Sequence, residues 1–255
     1  MTFQKVRPER ISTAIRTQIE ALILRGILRP GERLPSERDL ANQMDVSRPS
    51  LREALAELEQ AGLIETRPGA GAYVAQVLGS AFAPPLIRLF STHTEALFDY
   101  ITFRRDLEGL AAERAAQFGS DTDLKVISTI FTKMEAAHEK RSPKDEAALD
   151  ADFHMAIVEA SHNVVMLHMM RSMFDMLKDG VFYNRQTMFA VRTTRRDLLN
   201  QHRAIHDALI ARDPAAARAA VEAHLSFVEQ SLEEQLRITR NEEVAQLRYA
   251  HEQRR

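Results

Sequence analysis

Two groups of residues in this chain have the types and spacing to do chemistry. The first combines a carboxylate with imidazoles. Asp150 and His154 stand four residues apart, His202 and His206 likewise, and His224 follows beyond the break at 212–214. Residues four apart share one face of a helix. One carboxylate and two or three imidazoles converging inside a bundle suit a divalent ion such as Zn²⁺, Mn²⁺ or Ni²⁺. The plainer reading is that these are ordinary core or surface histidines, and His206 could compete with His202 as a ligand or stand behind it. The second group is Arg38, Ser47, Arg48, Ser50 and Arg52. A guanidinium fork takes guanine O6 and N7, or a phosphate, bidentately. Hydroxyls and free N–H groups at a helix start suit phosphate oxygens. Gly69 and Gly71 would let a turn come close to a sugar-phosphate backbone. The plainer reading here is a set of arginines that solvates a helix face.

The hydrophobic pattern supplies elements to carry both groups. Residues 9–25 place Ile11, Ile15, Ile19, Leu22 and Ile23 at helical spacing, and Gly26 and Pro30-Gly31 end that helix. Ser36 caps a short helix running through Met44. Ser47 caps the next, from Arg48 to Gln60, with Pro49 in its first turn and Leu51, Leu55 and Leu58 as its core face. Two β-like runs, 63–66 and 72–75, flank RPGAG as a hairpin. Two helices joined by a tight turn and followed by a hairpin make a winged helix-turn-helix, whose second helix enters the major groove N-terminus first. VLGSAFAPP, 77–85, reads as a linker. Six helices are predicted beyond it, over 94–118, 121–139, 144–161, 164–190, 192–211 and 214–240. The expected fold class is mainly α: a winged helix-turn-helix over 1–76, an all-helical bundle over 86–240 and a polar C-terminal tail over 241–255 that could also be a frayed helix.

Composition removes several function classes. The chain has no Cys, which excludes disulfide scaffolds, thiolate metal sites and a Cys nucleophile. Net charge is −2, and residues 1–76 hold 11 Lys and Arg against 10 Asp and Glu, so DNA binding must rest on a local cluster. No apolar run approaches the ~18 residues of a membrane span. The opening MTFQKVRPER is charged and lacks the apolar core of a signal peptide. A cytoplasmic protein with no membrane partner is expected.

GERLPSERDLANQMDVSRPSLREALAELEQAGLIETRPGAG resembles the DNA-binding domain of the GntR family of bacterial transcription regulators over roughly residues 9–75. That resemblance implies that Arg38, Arg48 and Arg52 contact DNA, with Ser47, Ser50 and Gly69 at further contact positions. LDADFHMAIVEASHNVV and NQHRAIHDALIARDPAAARAAVEAHL are similar to the helical effector (FCD) domain of the FadR subfamily, over about residues 95–230. In many members an Asp and three His hold a divalent metal. The pattern falls on Asp150, His154, His202 and His224, and implies Zn²⁺ first, with Ni²⁺ or Mn²⁺ as alternatives. FRRDLEGLAAERAA places Arg104, four before Glu108, where the subfamily has an effector-facing Arg. A guanidinium there pairs with a carboxylate. Within the subfamily the chain resembles both the pyruvate dehydrogenase complex repressor type and the glycolate-responsive type. The implied effector is therefore a small carboxylate such as pyruvate, glycolate or lactate. The first type lacks a His at the position of His154, so the full metal set departs from it.

The resulting expectation is a homodimeric regulator, acting as a repressor on a pseudo-palindromic operator in double-stranded DNA. Effector binding would change the relative placement of the two DNA-binding domains. A metal-dependent enzyme acting on small carboxylates is the rival, because an Asp/His₃ set could activate water. It lacks an obvious general base beside the metal set and leaves the winged helix unexplained. A DNA-binding architectural protein, its bundle serving only to dimerise, is the third reading.

Overall fold

The computed structural model describes residues 10–75, 84–178 and 192–253. The chain forms two compact units, residues 1–81 and 82–255.

The first unit contains α1 (Ile11–Leu24), α2 (Glu37–Gln43), α3 (Arg48–Gln60), β1 (Ile64–Arg67) and β2 (Gly71–Val74). Local chemistry sets the two helix starts that matter. Ser36 Oγ accepts the Asp39 N–H at 3.2 Å, and Ser47 Oγ accepts the Ser50 N–H at 3.3 Å. Each satisfies an orphan donor of a first turn. Between α2 and α3 the chain reverses through Asp45 at φ 51°, a left-handed position that a short polar side chain tolerates. Ile15, Ile19 and Ile23 pack on Leu40, Ala41, Leu51, Ala54 and Leu58, closed by Ile64 and Val74. Leu55 was expected on the core face of α3 but is only half-buried; Ala54 takes that place, so the buried stripe is Leu51, Ala54 and Leu58. The strands pair antiparallel from Ile64↔Val74 to Arg67↔Gly71. The hairpin thus closes over Pro68–Ala70, with Gly69 at φ 73° and Gly71 at φ 97°. Those backbone angles move each strand one residue from its expected span.

Among the described residues the second unit is built of helices: α4 (Pro84–Thr92), α5 (Thr94–Phe118), α6 (Asp121–Lys140), α7 (Pro143–Ala160), α8 (Val164–Lys178), α9 (Arg192–Ile210) and α10 (Pro214–Glu252). Ser120 and Asp123 form a capping box at α6, Ser142 caps α7 and Asp213 caps α10. Residues 77–83 of the proposed linker lie outside the described residues, and its last two, Pro84 and Pro85, open α4. Of the helix expected over 164–190, α8 accounts for the part up to Lys178, and 179–190 lies outside the described residues. Of the two readings of 241–255, helix holds through Glu252, because neither Gly nor Pro interrupts 215–252.

Helix α5 lies along α10, α6 against α7, and α9 against both α10 and α6. Buried Ala111, Ala112, Ala115 and Ala116 keep the contact face of α5 thin. Gly109 extends it, since a Cβ there would sit 3.3 Å from the Glu222 side chain. The interior holds Ile101, Ile127, Phe153, Ile157, Met170, Leu198, Ile205 and Leu209, all essentially inaccessible. At ~1.5–3 kcal/mol per buried side chain of this kind, they offset the desolvation of the polar groups the bundle also encloses.

Candidate metal centre and DNA-reading face

Inside the bundle, Asp150 and His154 from α7, His202 from α9 and His224 from α10 come together, all buried. One donor atom from each lies within 4.8 Å of every other. His202 Nε2 is 3.1 Å and His154 Nε2 3.7 Å from Asp150 Oδ1, and the two Nε2 atoms face each other at 3.4 Å. His154 and His224 are held from behind. His154 Nδ1 lies 2.5 Å from Glu108 Oε2, and His224 Nδ1 pairs with Gln201 Oε1 at 2.9 Å. The Gln201 hydrogen bond places the His224 ring proton on Nδ1 and turns its Nε2 lone pair inward, whereas His154 Nδ1 and Glu108 Oε2 make a close contact without hydrogen-bond geometry. His202 Nδ1 is buried with no hydrogen-bond partner among the described residues.

Burial holds the His154 imidazole below the usual histidine range, against the pull of Glu108 and Asp150. Burial, then the neighbouring His202 and His154, push His224 well below it. Three imidazoles, those of His154 and His224 disfavoured as cations, converge on one carboxylate as a divalent ion requires, so these residues fit a metal. When bound, such an ion supplies open coordination positions for oxygen ligands.

Arg104 and Glu108 of α5 adjoin this cluster. They are 1% and 2% exposed, so the pair is not a surface helix pair. Arg104 Nε donates to Glu108 Oε1 at 2.6 Å. Its guanidinium also lies 5.1 Å from the Phe174 ring centroid and 5.8 Å from that of Tyr100. Burial alone would raise the Glu108 pKa, but the Arg104 guanidinium and His154 reverse this and hold it at about 2. Glu108 is therefore a carboxylate shared between Arg104 and a histidine of the buried cluster.

His206 stands outside the cluster. Its Nε2 meets Ser128 Oγ at 3.0 Å, its Nδ1 meets Asp207 Oδ1 at 3.0 Å, and its ring stacks on Phe131 at 4.8 Å between centroids. His162 faces Asp123 at 2.9 Å at the surface. Sequence reasoning missed the part played by Glu108 and Gln201. The signal for Glu108 was present, since Arg104–Glu108 and Asp150–His154 repeat the same spacing on two helices. Gln201 gave no sign beyond adjacency to His202.

In the first unit the arginines of α2 and α3 are exposed, with Arg38 at 76%, Arg48 at 57% and Arg52 at 61% of side-chain area. They border an open groove of about 650 Å³, lined also by Arg33, Glu37 and Gly71. Ser47 and Ser50 share a 2.9 Å contact between their hydroxyls at the start of α3. Gly69 stands at the hairpin tip with open space where a Cβ would be. Glu37, which the sequence did not single out, accepts from Arg52 Nε at 2.7 Å and lies 4.0 Å from Arg48 Nη2. Any phosphate approaching these arginines competes with Glu37. Glu37→Gln is expected to raise affinity for random duplex several-fold at matched salt, with a smaller gain on a specific site. An unchanged affinity for random duplex by fluorescence anisotropy would show that Glu37 restrains nothing.

Residues 11–74 match the model of the bacterial regulatory proteins of the gntR family, and residues 99–227 match the FCD domain. The Glc operon transcriptional activator of Escherichia coli (strain K12) is 36% identical over 225 residues, covering 87% of this chain and 89% of that protein. The protein named "Putative L-lactate dehydrogenase operon regulatory protein" in the same organism is 37% identical over 227 residues, covering 88% and 86%. LutR, an HTH-type transcriptional regulator of Bacillus subtilis (strain 168), is 31% identical over 212 residues, covering 83% and 96%. The solved structure of Streptococcus agalactiae GntR superposes with a TM-score of 0.52 at 26% identity, over 87% of this chain and 100% of that one. No helix among the described residues is long and apolar enough to cross a membrane. With its winged helix and its helical bundle both matched, the chain belongs to the GntR family of bacterial regulatory proteins, carries an FCD domain, and is a transcriptional regulator rather than an enzyme.

Proposed function

We propose that this regulator answers to a small 2-hydroxy or 2-oxo carboxylate, such as lactate, glycolate or pyruvate, bound beside a divalent metal in its FCD domain. The supporting observation is the convergence of Asp150, His154, His202 and His224, buried, with donor atoms within 4.8 Å of one another. Zn²⁺ is the metal proposed, because imidazole and carboxylate donors suit it, with Ni²⁺ and Mn²⁺ as competitors. A buried carboxylate needs a cationic partner, and Arg104 provides one from within the bundle. The L-lactate dehydrogenase operon named for one relative favours a 2-hydroxy acid. Protein purified without chelators should contain one equivalent of metal per chain by elemental analysis. Metal-loaded protein should rise in melting temperature with one of these acids, because binding to the native state alone raises stability. No metal as purified and none gained on dialysis against Zn²⁺, Ni²⁺ or Mn²⁺ would remove the metal reading.

The DNA-facing residues proposed are Arg38, Ser47, Arg48, Ser50, Arg52 and Gly69, read by a homodimer on a pseudo-palindromic double-stranded operator. Two-fold proteins match two-fold sites. Repression is the proposed mode, since occupancy of an operator suffices for it. Because Arg48 and Arg52 are exposed, Ala at either should leave melting nearly unchanged. Loss of a bidentate base contact costs about 1–3 kcal/mol of operator affinity. Operator titrations of both variants at one salt concentration check this, and wild-type affinity in both would dismiss the assignment. Analytical ultracentrifugation at micromolar concentration should show a dimer; a monomer with and without operator contradicts the proposal.

A further inference from the structure

We infer that the distal part of α10, residues 236–252, pairs antiparallel with the same segment of a second copy of this chain. From Leu236 onward every described residue of this helix is exposed, including Leu236 at 42%, Val244 at 41% and Leu247 at 72%. The segment is about 25 Å long at ~1.5 Å per residue. A solvated helix of this size is marginal without tertiary support, with isolated helices below ~12–15 residues failing even in favourable sequences.

One face identifies the occupant. Leu236, Arg240, Glu243 and Leu247 follow one another at steps of four, three and four. At about 100° per residue all four fall within an arc of about 60°. The steps read the same in both directions, and the order of types inverts: Leu, Arg, Glu, Leu one way and Leu, Glu, Arg, Leu the other. An antiparallel copy centred between Asn241 and Glu242 sets Leu236 on the second copy's Leu247 and Arg240 on its Glu243. The two-fold axis repeats both contacts, as an isologous interface requires. A parallel copy would instead set like charge on like.

Charge supports the same occupant. Residues 233–255 contain five Arg and five Glu. A nucleic acid or a uniformly charged partner gains nothing from that balance, whereas a copy of the segment gains matched pairs. Arg237 is taken within the helix by Glu234, and Gln246 by Glu242. Among the described residues, Arg240 and Glu243 stand in no ion pair. The pairing rests on the homodimer proposed above, but neither the operator contacts nor the metal proposal uses a residue beyond Leu232, so the crosslinking pattern below reads this contact separately from both.

The absence of cysteine makes the test direct. Leu236→Cys and Leu247→Cys are made separately in the full chain, with Ala245→Cys as a control on the opposite face. Mixing the first two under mild oxidation should give a disulfide-linked pair joining the two variants, well above the control. Each alone should not crosslink, because like positions stand about 16 Å apart along the paired helices and a disulfide reaches only ~4.4–6.8 Å between Cα atoms. Arg240→Glu and Glu243→Arg should each lower the crosslinking rate when built into both cysteine chains, and the two together should restore it. Efficient crosslinking of either single-cysteine protein alone would mean parallel pairing and overturn the inference. A mixture no faster than the Ala245→Cys control would overturn it as well, leaving the face to a different partner.

Discussion

Replacing His202 by Ala is expected to remove the bound metal and the response to a 2-hydroxy or 2-oxo acid together. Its Nε2 lies closest to Asp150 Oδ1, at 3.1 Å, and faces His154 Nε2 at 3.4 Å, so it occupies the middle of the donor set. Loss of an outer partner of a metal ligand costs about 10–100-fold in affinity. Loss of a ligand should exceed that, while Gln201→Ala, which releases His224 from behind, should fall within it. Arg104→Lys separates the two functions. It keeps a cation opposite Glu108 but loses the planar fork that matches a carboxylate. Metal content should stay at one equivalent and effector affinity should drop at least tenfold. Elemental analysis beside calorimetric titration reads both quantities on each variant. Full metal in His202→Ala would disprove the ligand assignment, and wild-type effector affinity in Arg104→Lys would disprove the carboxylate role.

Glu146→Ala should destabilise the helical unit by about 3–5 kcal/mol, the cost of leaving a buried charge without its partner. Arg195 Nε meets both carboxylate oxygens of Glu146, at 2.9 and 3.0 Å, and its Nη2 donates to the His138 carbonyl at 2.8 Å. The two residues are 8% and 4% exposed, so water cannot replace the lost group cheaply. At about 2–4 °C per kcal/mol for a unit of this size, the melting temperature should fall by roughly ten degrees. Glu146→Met with Arg195→Met removes both charges and should recover most of the loss. Chemical denaturation of the three proteins checks this. A single variant within about 1 kcal/mol of wild type would mean that the pair carries no net burden of desolvation.

Much of this organisation was legible because it is written in local chemistry. Ser36 and Ser47 announce helix starts through groups that bond their own backbone, and the short spacing between them fixes the turn. The Asp150–His154 step was readable for the same reason. What escaped was non-local. The resemblance placed Arg104 toward the effector, but the part of Glu108 was not readable, because only the packing of α5 against α7 brings His154 to its second oxygen. Glu37 acquires meaning only when α3 brings Arg52 back across α2, fifteen residues on. The polar composition from Asn241 onward left frayed helix and tail both open, because periodicity says little when no face is covered. Pro84 and Pro85 looked like linker residues yet open α4, since proline is well tolerated in a first turn.

Glu108 gives the two halves of the proposed effector site a common currency. One oxygen holds Arg104 and the other faces His154, so an event at either neighbour alters what the carboxylate offers the remaining one. Around the closed cycle of bare, metal-loaded, acid-loaded and doubly loaded protein, the free energies must sum to zero. Whatever factor the metal contributes to the affinity for the acid, the acid must return to the metal. Where that factor favours joint binding, a cell short of the metal needs a higher concentration of the acid to reach the same occupancy, and the proposed regulator reports two supplies together rather than the level of one.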